Sequence, residues 1–388
     1  MTLRLSWLAS LDDPGFPAQA YEALRQSLPQ ATPFNGLGWL RAAAAALPPG
    51  QSLHLLLGFD RERLCLCLPL VRMPLRAWPL NFTVLRHLGY PLSDRIGLLV
   101  DLPGADAPQV LRAIRRHLPH ALLQLNEISA DDAWLQRWNP RSSTHERRRV
   151  CNVPVHQLSD ADRQEVSGDP RYKLRRARKR IAACGALIRR VVADADNITA
   201  LLQRIAQVED ASWKGDDGVG IFSSTASRAW MNQALAALAG EGRLRLLLLE
   251  LDGRCISYRL GLLEHDRLYD YNLAFLPQYA ELGSGRVLLQ EWIDWGLDEG
   301  WQWIDASRVS LENSSHQLHE RMTGQIEHLR YSFYSWRPSG ICLGLALRLW
   351  RRIKPWLRSS PLPPAAKNVT SASPRPHVTG ARECPSRS

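Results

Sequence analysis

Length, composition and charge limit the class of protein before any motif is considered. The chain has 388 residues, 45% of them hydrophobic, and a formal net charge of +11. A single hydrophobic core rarely supports so long a chain, which predicts two domains. The longest apolar runs are far shorter than the roughly 20 residues of a membrane-spanning helix, and the first residues make a poor secretory signal. We therefore expect a cytoplasmic protein without a transmembrane helix.

Most of the positive charge lies at one end of the chain. Residues 337–388 contain ten Lys or Arg residues and one acidic residue. The rest of the chain is nearly neutral, although residues 171–180 form a second basic run, RYKLRRARKR. This distribution disfavours a nucleic-acid-binding surface that extends over the whole protein.

The cysteine residues follow no metal-binding pattern. The seven cysteines include no C-x-x-C pair and have no clustered His partners. A structural zinc site and a disulfide framework are both disfavoured, so no metal is expected. Buried apolar thiols are the expected outcome, and a reactive cysteine is the alternative, although no sequence feature marks one.

The first half contains a strand, turn and strand pattern at residues 53–70, where an apolar run, a polar turn and an alternating run follow one another. A further strand is predicted at 96–102, a helix at 108–118 and a short strand at 121–127. The polar segment 139–170, which includes the basic run HERRR, is predicted to connect the two halves.

The second half is predicted to open with a helix and a strand. The helix covers 172–183, Gly185 ends it, and the strand follows at 186–192. A second helix is predicted at 198–210, where apolar residues recur at helical spacing.

The second half then repeats the element order of the first. Residues 244–263 form a strand, an Asp-Gly turn of strong hairpin chemistry, and another strand. A strand at 268–275, a helix at 285–299 and a strand at 301–306 follow. A helix between two strands of one sheet requires those strands to be parallel, whereas the strands of a hairpin are antiparallel.

We therefore predict an α/β (α+β) fold of two tandem, like-folded domains, each with a mixed, mostly antiparallel sheet flanked by helices. The predicted domains are residues 1–160 and 161–336. Residues 337–388 are predicted to form a basic amphipathic helix at 341–358, broken by Pro355, and a disordered tail rich in Pro, Ser and Ala.

One glycine-containing turn has the chemistry of a phosphate site. Residues 282–286, Leu-Gly-Ser-Gly-Arg, open the predicted helix at 285–299. Glycines let backbone N–H groups converge on an anion, the helix N-terminus adds partial positive charge, and Arg286 adds a charged donor. The turn lacks the full dinucleotide and P-loop patterns, so taken alone it is also consistent with an ordinary capped loop.

Four segments in this order resemble the acetyltransferase domain of CelD-like proteins. This group of the GNAT acetyltransferase superfamily is associated with cellulose and polysaccharide biosynthesis and is related to Fem-type double-domain transferases. The segments are KLRRARKRIAACG at 173–185, ASWKG at 211–215, LDGRCISYRLGL at 251–262, and the stretch from Ala274 to Ser307. The first half matches more loosely, and the likeness spans most of residues 30–336.

The sequence departs from the CelD-like pattern in two places. Many members have Ser-Pro-Gly where this chain has Gly283, Ser284 and Gly285, and this difference makes the turn more flexible. The region after Asp305 also differs.

The resemblance implies a second-half acyl-CoA site, with acetyl-CoA or another acyl-CoA as co-substrate. The matching first-half segment, 102–108, has one glycine between Asp101 and Asp106, which would repel phosphate. The first half is therefore expected to be a degenerate GNAT-like domain that shapes the acceptor cleft. The predicted cofactor-binding residues are Leu282, Gly283, Ser284, Gly285 and Arg286 of the turn, with Leu273 and Phe275 of the strand before it.

Acyl transfer to an amine requires a base, for which a carboxylate or a His near the sheet opening is expected. The predicted catalytic residues are Asp305, Asp270 and His319, and Glu264 and His316 complete the inventory. Backbone N–H groups between Asn272 and Phe275 could polarise the thioester carbonyl. The predicted substrate-binding residues are Trp213 and Lys214, which precede a glycine-rich loop suited to a lid, and Tyr271.

These patterns lead to one main functional hypothesis and two alternatives. The main one is an acyl-CoA-dependent N-acyltransferase that acts on an amine of an amino sugar, an amino acid or a polysaccharide precursor. The first alternative is a Fem-like aminoacyl-tRNA-dependent transferase, in which residues 171–180 would grip tRNA. The second is a non-catalytic scaffold in polysaccharide biosynthesis, peripheral to the inner face of the membrane, with residues 341–358 on an anionic lipid surface.

Overall fold

A computed structural model describes residues 3–77, 80–102, 107–132, 134–135, 145–164, 168–306 and 322–359. The strands are β1 (Leu3–Leu8), β2 (Ser52–Asp60), β3 (Arg63–Ala77), β4 (Leu80–His87), β5 (Leu99–Val100), β6 (Leu122–Ser129), β7 (His145–Gln157), β8 (Leu187–Val192), β9 (Leu244–Leu251), β10 (Arg254–Glu264), β11 (Arg267–Phe275), β12 (Trp303–Asp305) and β13 (Gly324–Tyr334). The α-helices are α1 (Ala18–Ser27), α2 (Leu37–Ala45), α3 (Ala107–His117), α4 (Gly168–Ala183), α5 (Ile198–Asp210), α6 (Trp213–Asp217), α7 (Thr225–Gly240), α8 (Ser284–Glu299) and α9 (Pro338–Ser359).

The strands form one continuous sheet in the order β1-β2-β3-β4-β6-β13-β7-β12-β11-β10-β9-β8, with β5 beside β3. Two neighbouring pairs are parallel, β4 with β6 and β11 with β12. Helix α3 connects the strands of the first parallel pair and α8 connects those of the second. The sheet is therefore mixed and mostly antiparallel, with the crossover helices that the sequence predicts.

The two halves exchange their last strands. β7 follows the first half in the chain but pairs with β12 of the second half, whereas β13 ends the second half and pairs with β6 of the first. The exchanged strands pair with each other from His145 with Phe333 to Val155 with Gly324. The prediction of a connector at 139–170 is thus wrong for residues 145–157, whose last part buries Cys151, Val153 and Val155.

The third strand of the first-half sheet also differs from the prediction. It is Leu80–His87, which pairs with β3 and β6, and not residues 96–102. Within that predicted strand only Leu99 and Val100 pair, with β3. Ile96 and Leu98 are buried in the core, so the apolar run at 96–102 fills space under the sheet and does not extend it.

The second-half elements that the sequence predicts lie close to their predicted positions because each carries a local signal, whereas helix α7 and strand β13 were not predicted. The helix predicted at 172–183 begins earlier, at Gly168, and the helix at 198–210 has the predicted bounds. The hairpin turn places Asp252 and Gly253 at positive φ, 50° and 76°, as a tight turn between twisted strands requires.

Helix α9 packs on the first half by one face. Leu343 lies in a cluster with Phe82 and Tyr334, and Arg351 forms an ion pair with Glu146. The helix continues through Pro355, so the predicted break there is wrong. The predicted disordered tail, from residue 360 onward, lies outside the described residues. No helix in the described part of the chain combines the length and the hydropathy needed to span a membrane.

Candidate acyl-CoA and acceptor site

A gap opens in the sheet where β11 separates from β12. The two strands pair at only three positions, and the last of these joins Tyr269 to Asp305. Beyond Tyr269, β11 continues to Phe275, and no other described strand borders it on that side. The predicted cofactor-binding residues Leu273 and Phe275 lie on this part of β11, where main-chain groups along the gap can bind a ligand.

The predicted glycine turn lies between the end of β11 and the start of α8. A 3-10 turn, Pro277–Leu282, leads to Gly283, which is the N-cap of α8 with φ of 67°. No side chain caps the helix there, and a Cβ atom built on Gly285 would meet nothing within 4 Å. The turn is therefore not closed by side chains, and its first amide N–H groups can donate hydrogen bonds to an anion.

Two sets of contacts hold the turn in place. The Ser284 hydroxyl donates to Ser257 Oγ at 2.9 Å, and the Ser257 hydroxyl donates to the Ala274 carbonyl at 3.2 Å. On the other side, Arg180 of α4 donates to the Glu281 carbonyl. The basic helix α4 thus supports the turn. The Arg286 side chain is in contact with other residues of the chain.

Asp270, predicted as a catalytic base, is fully buried in an ion pair. Its carboxylate accepts from Arg259 and, at 3.3 Å, from Trp292 Nε1. Burial raises the pKa of Asp270, while the nearby Arg259 guanidinium opposes that rise. Arg259 also donates to the Gly285 carbonyl at 2.9 Å. Asp270 is therefore placed to position the first turn of α8, and its assignment as a base stays a prediction.

The predicted substrate-binding residues Trp213 and Lys214 begin the short helix α6, which also includes residues 215–217 of the predicted glycine-rich loop. Trp213 is half exposed, whereas Lys214 donates to Asn272 Oδ1 on β11. The Asn272 amide in turn donates to Glu209 Oε2 at 2.6 Å. A buried polar network thus connects α6 to the part of β11 that borders the gap.

Tyr271, the third predicted substrate-binding residue, joins the two halves. Its hydroxyl donates to the Leu92 carbonyl at 2.7 Å, and its ring contacts Phe34 and Trp39 of the first half. Because it is buried in this aromatic cluster, its contacts are with protein and not with an open cavity. Glu264, from the inventory of candidate bases, is also buried and forms ion pairs with Arg25 and Arg243.

A cavity of about 370 Å³ lies between the halves at the point where β11 and β12 separate. Its charged and polar lining comes from both halves of the chain and includes Thr32, Arg95, Asp131, Asp132, Arg267, Tyr269, Asp305 and His328. Asp305, predicted as a catalytic residue at the carboxyl end of β12, therefore lies at the cavity. The predicted residue His319, and His316 beside it, lie outside the described residues.

Arg95 is the central basic group of this cavity. It is 3% exposed, and its Nε lies 3.1 Å from Asp305 Oδ2. Its guanidinium carbon lies 5.8 Å from the ring centres of Phe34 and of Tyr269. The backbone of Arg95 has φ of 48°, a left-handed conformation that is uncommon for a residue with a side chain.

His328 on β13 lies at the same cavity and is 5% exposed. Burial, with the nearby Arg95 charge, lowers the pKa of His328 to about 4, so its imidazole is neutral at physiological pH. Sequence reasoning missed both Arg95 and His328. Neither lies in a motif, and only the exchange of β13 into the other half brings His328 to Arg95.

No cysteine is among the described residues that line this cavity. Burial raises the pKa of Cys67 to about 12 and that of Cys255 to about 11, so both are protonated at neutral pH. No group of three or more metal-ligating side chains occurs among the residues that the structure describes.

Comparison with known proteins agrees with this geometry. Residues 168–313, which contain the glycine turn, match the family model described as Acetyltransferase (GNAT) domain. Among curated proteins no match was found. The crystal structure of FemX is similar over 90% of this chain and 100% of that chain, with a TM-score of 0.54 and 12% sequence identity.

Two further solved structures resemble the chain. The C-terminal domain of a putative lysylphosphatidylglycerol synthetase from Agrobacterium fabrum is similar over 85% of this chain and 95% of that chain, with a TM-score of 0.52 and 11% identity. L-PGS from Bacillus licheniformis is similar over 86% of this chain and 96% of that chain, with a TM-score of 0.51 and 13% identity. At such identities the likeness shows the fold, and it confirms the predicted fold class of tandem GNAT-like halves. The second half thus carries a segment that matches GNAT acetyltransferases.

Proposed function

We propose that the protein is an acyl-CoA-dependent N-acyltransferase, with acetyl-CoA the simplest donor. The acceptor is an amine of an amino sugar, an amino acid or a polysaccharide precursor. The observation that carries this proposal is the uncapped glycine turn at the start of α8, at the end of a strand that borders a gap in the sheet. The GNAT match supports it because residues 168–313 include this turn.

The distances along β11 suit a coenzyme A thioester. From Phe275, beside the turn, the strand extends back to Tyr269 over about 20 Å, at about 3.3 Å per residue. An extended phosphopantetheine arm has a similar length. A donor with its diphosphate at the turn would therefore place its thioester near the cavity that Tyr269 and Asp305 line.

The chemistry requires a neutral amine at that cavity. The amine nitrogen forms a bond to the thioester carbon, the carbon–sulfur bond breaks, and coenzyme A leaves as a thiolate that takes up a proton. Main-chain N–H groups of β11 that face the gap can stabilise the oxyanion. Asp305 is our candidate proton acceptor, directly or through water, because its carboxylate is at the cavity.

Calorimetric titration of acetyl-CoA tests the first step. We expect Gly285→Asp to abolish binding, because its carboxylate would stand at the diphosphate site, whereas Gly285→Ala should retain it because the position is open. Circular dichroism checks that both variants fold. Absence of acetyl-CoA binding to the wild-type protein, or unchanged binding to Gly285→Asp, would contradict the proposal.

The exposed basic face of α4 favours a second candidate, a Fem-like aminoacyl-tRNA-dependent transferase. Arg176 and Lys179 are exposed on the helix that supports the glycine turn. This candidate requires tRNA binding that weakens steeply with salt and that Arg176→Glu with Lys179→Glu reduces. Acetyl-CoA binding without tRNA binding would rule it out.

A further inference from the structure

We propose that the acceptor amine also carries an anionic group, a carboxylate or a phosphate, and that Arg95 binds this group in the cavity between the two halves. The inference rests on the proposed acyl transfer and adds the chemical class of the acceptor.

The unsatisfied donors of Arg95 are the main support. Its side chain is almost fully buried, yet neither Nη1 nor Nη2 has a hydrogen-bond partner among the residues that the structure describes, and Nε has there only the ion pair with Asp305. Buried polar groups are nearly always satisfied, because a buried donor without an acceptor carries a desolvation cost. A guanidinium fork matches a carboxylate or a phosphate in a two-point interaction. A bound anion would therefore supply the missing acceptors.

The backbone and the neighbouring rings also indicate a binding role for Arg95. Its left-handed φ of 48° is strained for a residue with a side chain. Such strain is often retained at ligand sites. The rings of Phe34 and Tyr269 lie near the guanidinium and restrict its orientation before a ligand binds.

The acidic residues of the same cavity suit the other end of the acceptor. Asp131, Asp132 and Asp305 line the cavity with Arg95, so the site offers both charges within one cavity. A molecule with an ammonium and an anionic group matches this arrangement. Asp305 can then remove the proton that the ammonium must lose before attack.

Acceptor selectivity tests the inference. Thiol release would be measured at saturating acetyl-CoA with α-amino acids, with the amines that result from their decarboxylation, and with aminoalkyl phosphates. We expect anionic acceptors to have at least a tenfold higher kcat/KM than neutral amines. Comparison of the α-amino acids with the aminoalkyl phosphates shows whether the site prefers a carboxylate or a phosphate. Arg95→Met should lower kcat/KM about 100-fold for the preferred anionic acceptor and remove the preference.

Two further measurements keep the outcomes distinct. Arg267→Met serves as the control, because Arg267 lines the same cavity but donates to the Pro29 carbonyl, and it should retain the preference. Acetyl-CoA titration verifies that Arg95→Met folds, and Arg95→Lys, which keeps the charge, should show an intermediate loss. Equal rates for anionic and neutral amines, or an unchanged preference in Arg95→Met, would overturn the inference.

Failure of the proposed acyl transfer gives a different experimental result from failure of the anion site. If acetyl-CoA does not bind the wild-type protein, the proposed function fails. Direct calorimetric titration with inorganic phosphate and with an α-amino acid then still tests the anion site. Binding that Arg95→Met abolishes would support the site, and no binding of either probe would overturn it.

A second, independent observation concerns helix α9, and from it we infer a lipid-binding surface. The helix leaves a continuous apolar face exposed, formed by Ile341, Leu345, Leu349, Trp350 and Ile353. The opposite face, with Leu343, packs on the first half, so the exposed side chains are not part of the core. Trp350 on this face is half exposed.

The charged residues of α9 indicate which partner binds this apolar face. Arg352 and Lys354 are exposed on the same helix, and the helix has no acidic residue. Basic residues beside an exposed apolar stripe match an anionic bilayer, because they are attracted to its negatively charged surface. We therefore infer that α9 lies on anionic lipid.

Vesicle sedimentation tests this inference on the full chain. We expect binding to vesicles that contain phosphatidylglycerol, at least tenfold weaker binding to pure phosphatidylcholine, and loss of binding in Leu345→Asp with Leu349→Asp. Leu187→Asp, at another exposed leucine, is the matched control and should bind normally. Absence of binding, unchanged binding in the double variant, or a concentration-dependent dimer that the double variant abolishes would overturn the inference.

Discussion

The Arg259–Asp270 ion pair lies between the sheet and the first turn of α8 and is almost completely buried. Removing one partner of such a pair leaves a buried charge without compensation, which typically costs about 3–5 kcal/mol. We therefore expect Arg259→Met to lower the free energy of unfolding by this amount and to weaken acetyl-CoA binding, because Gly285 also loses its donor. Denaturant unfolding and calorimetry measure the two effects.

A double variant separates the positioning role of Asp270 from catalysis. Arg259→Met with Asp270→Leu removes both charges, so it should be clearly more stable than Arg259→Met alone. A catalytic Asp270 would instead show its effect in kcat, with Asp270→Asn inactive at wild-type stability and wild-type acetyl-CoA affinity. That result would contradict the positioning role.

Two buried histidines should make stability depend on pH. Burial lowers the pKa of His87 and that of His328 to about 4, from an ordinary value of 6.5. Between these values the unfolded chain binds protons that the folded chain excludes, so stability falls as the pH decreases from 6.5 to 4. Each histidine contributes a slope of up to about 1.4 kcal/mol per pH unit.

The measurement is the free energy of unfolding as a function of pH. His328→Gln cannot titrate in this range, so its curve should be flatter than that of the wild type by the contribution of one group. His54, which is more exposed, gives the matched control variant His54→Gln, whose effect on the slope should be smaller. Parallel curves for wild type and His328→Gln would show that the imidazole does not titrate with the predicted shift.

At the scale of elements, the sequence predicts the turns and helix ends whose structure depends only on residues close together in the chain. The Asp252-Gly253 turn and the glycine turn before α8 are local signals, and the structure has both at the predicted positions. The strand predicted at 96–102 is wrong because an apolar run indicates burial and does not specify pairing. Strand β7 could not be predicted because its basic beginning resembles a solvated connector.

The two glycines of the turn make a prediction about α8 itself. Gly283 has a left-handed φ of 67°, whereas Gly285 lies in the first turn of the helix with open space around it. Gly283→Ala should destabilise the protein by about 1–2 kcal/mol, through backbone strain alone. Gly285→Ala should be neutral or stabilising by up to about 1 kcal/mol, because alanine favours the helix. Thermal unfolding of the two variants measures the difference, and equal stabilities would contradict the left-handed cap.

At the scale of the whole molecule, the candidate site could be predicted only in part. The proposed acyl-CoA site is formed by consecutive residues between β11 and α8, so its glycine pattern can be read from the sequence. The acceptor side combines Arg95, Asp305 and His328 from three distant segments. Only Asp305 lies in a predicted strand. Arg95 is in a loop without regular periodicity, and the position of His328 depends on the exchange of β13, which leaves no local signal.

The strand exchange also determines how the molecule should unfold. Each half lacks one strand of its sheet unless the other half is folded, because β7 borders β12 and β13 borders β6. The exchanged strands further share a ladder from His145 with Phe333 to Val155 with Gly324. We therefore expect a single cooperative transition in denaturant, with coincident curves from tryptophan fluorescence and circular dichroism.

Fragments test this coupling directly. A fragment of residues 1–164 retains β7 but lacks β13, and a fragment of residues 168–388 retains β13 but lacks β7. Each fragment alone leaves strand edges and apolar surface unpaired, so it should be unfolded or aggregated. Mixed during refolding, the fragments should recover the far-ultraviolet spectrum of the full chain, because each supplies the strand that the other lacks. A fragment of residues 168–388 that unfolds cooperatively by itself, with the midpoint of the full chain, would show that the ladder between β7 and β13 joins two independently stable domains.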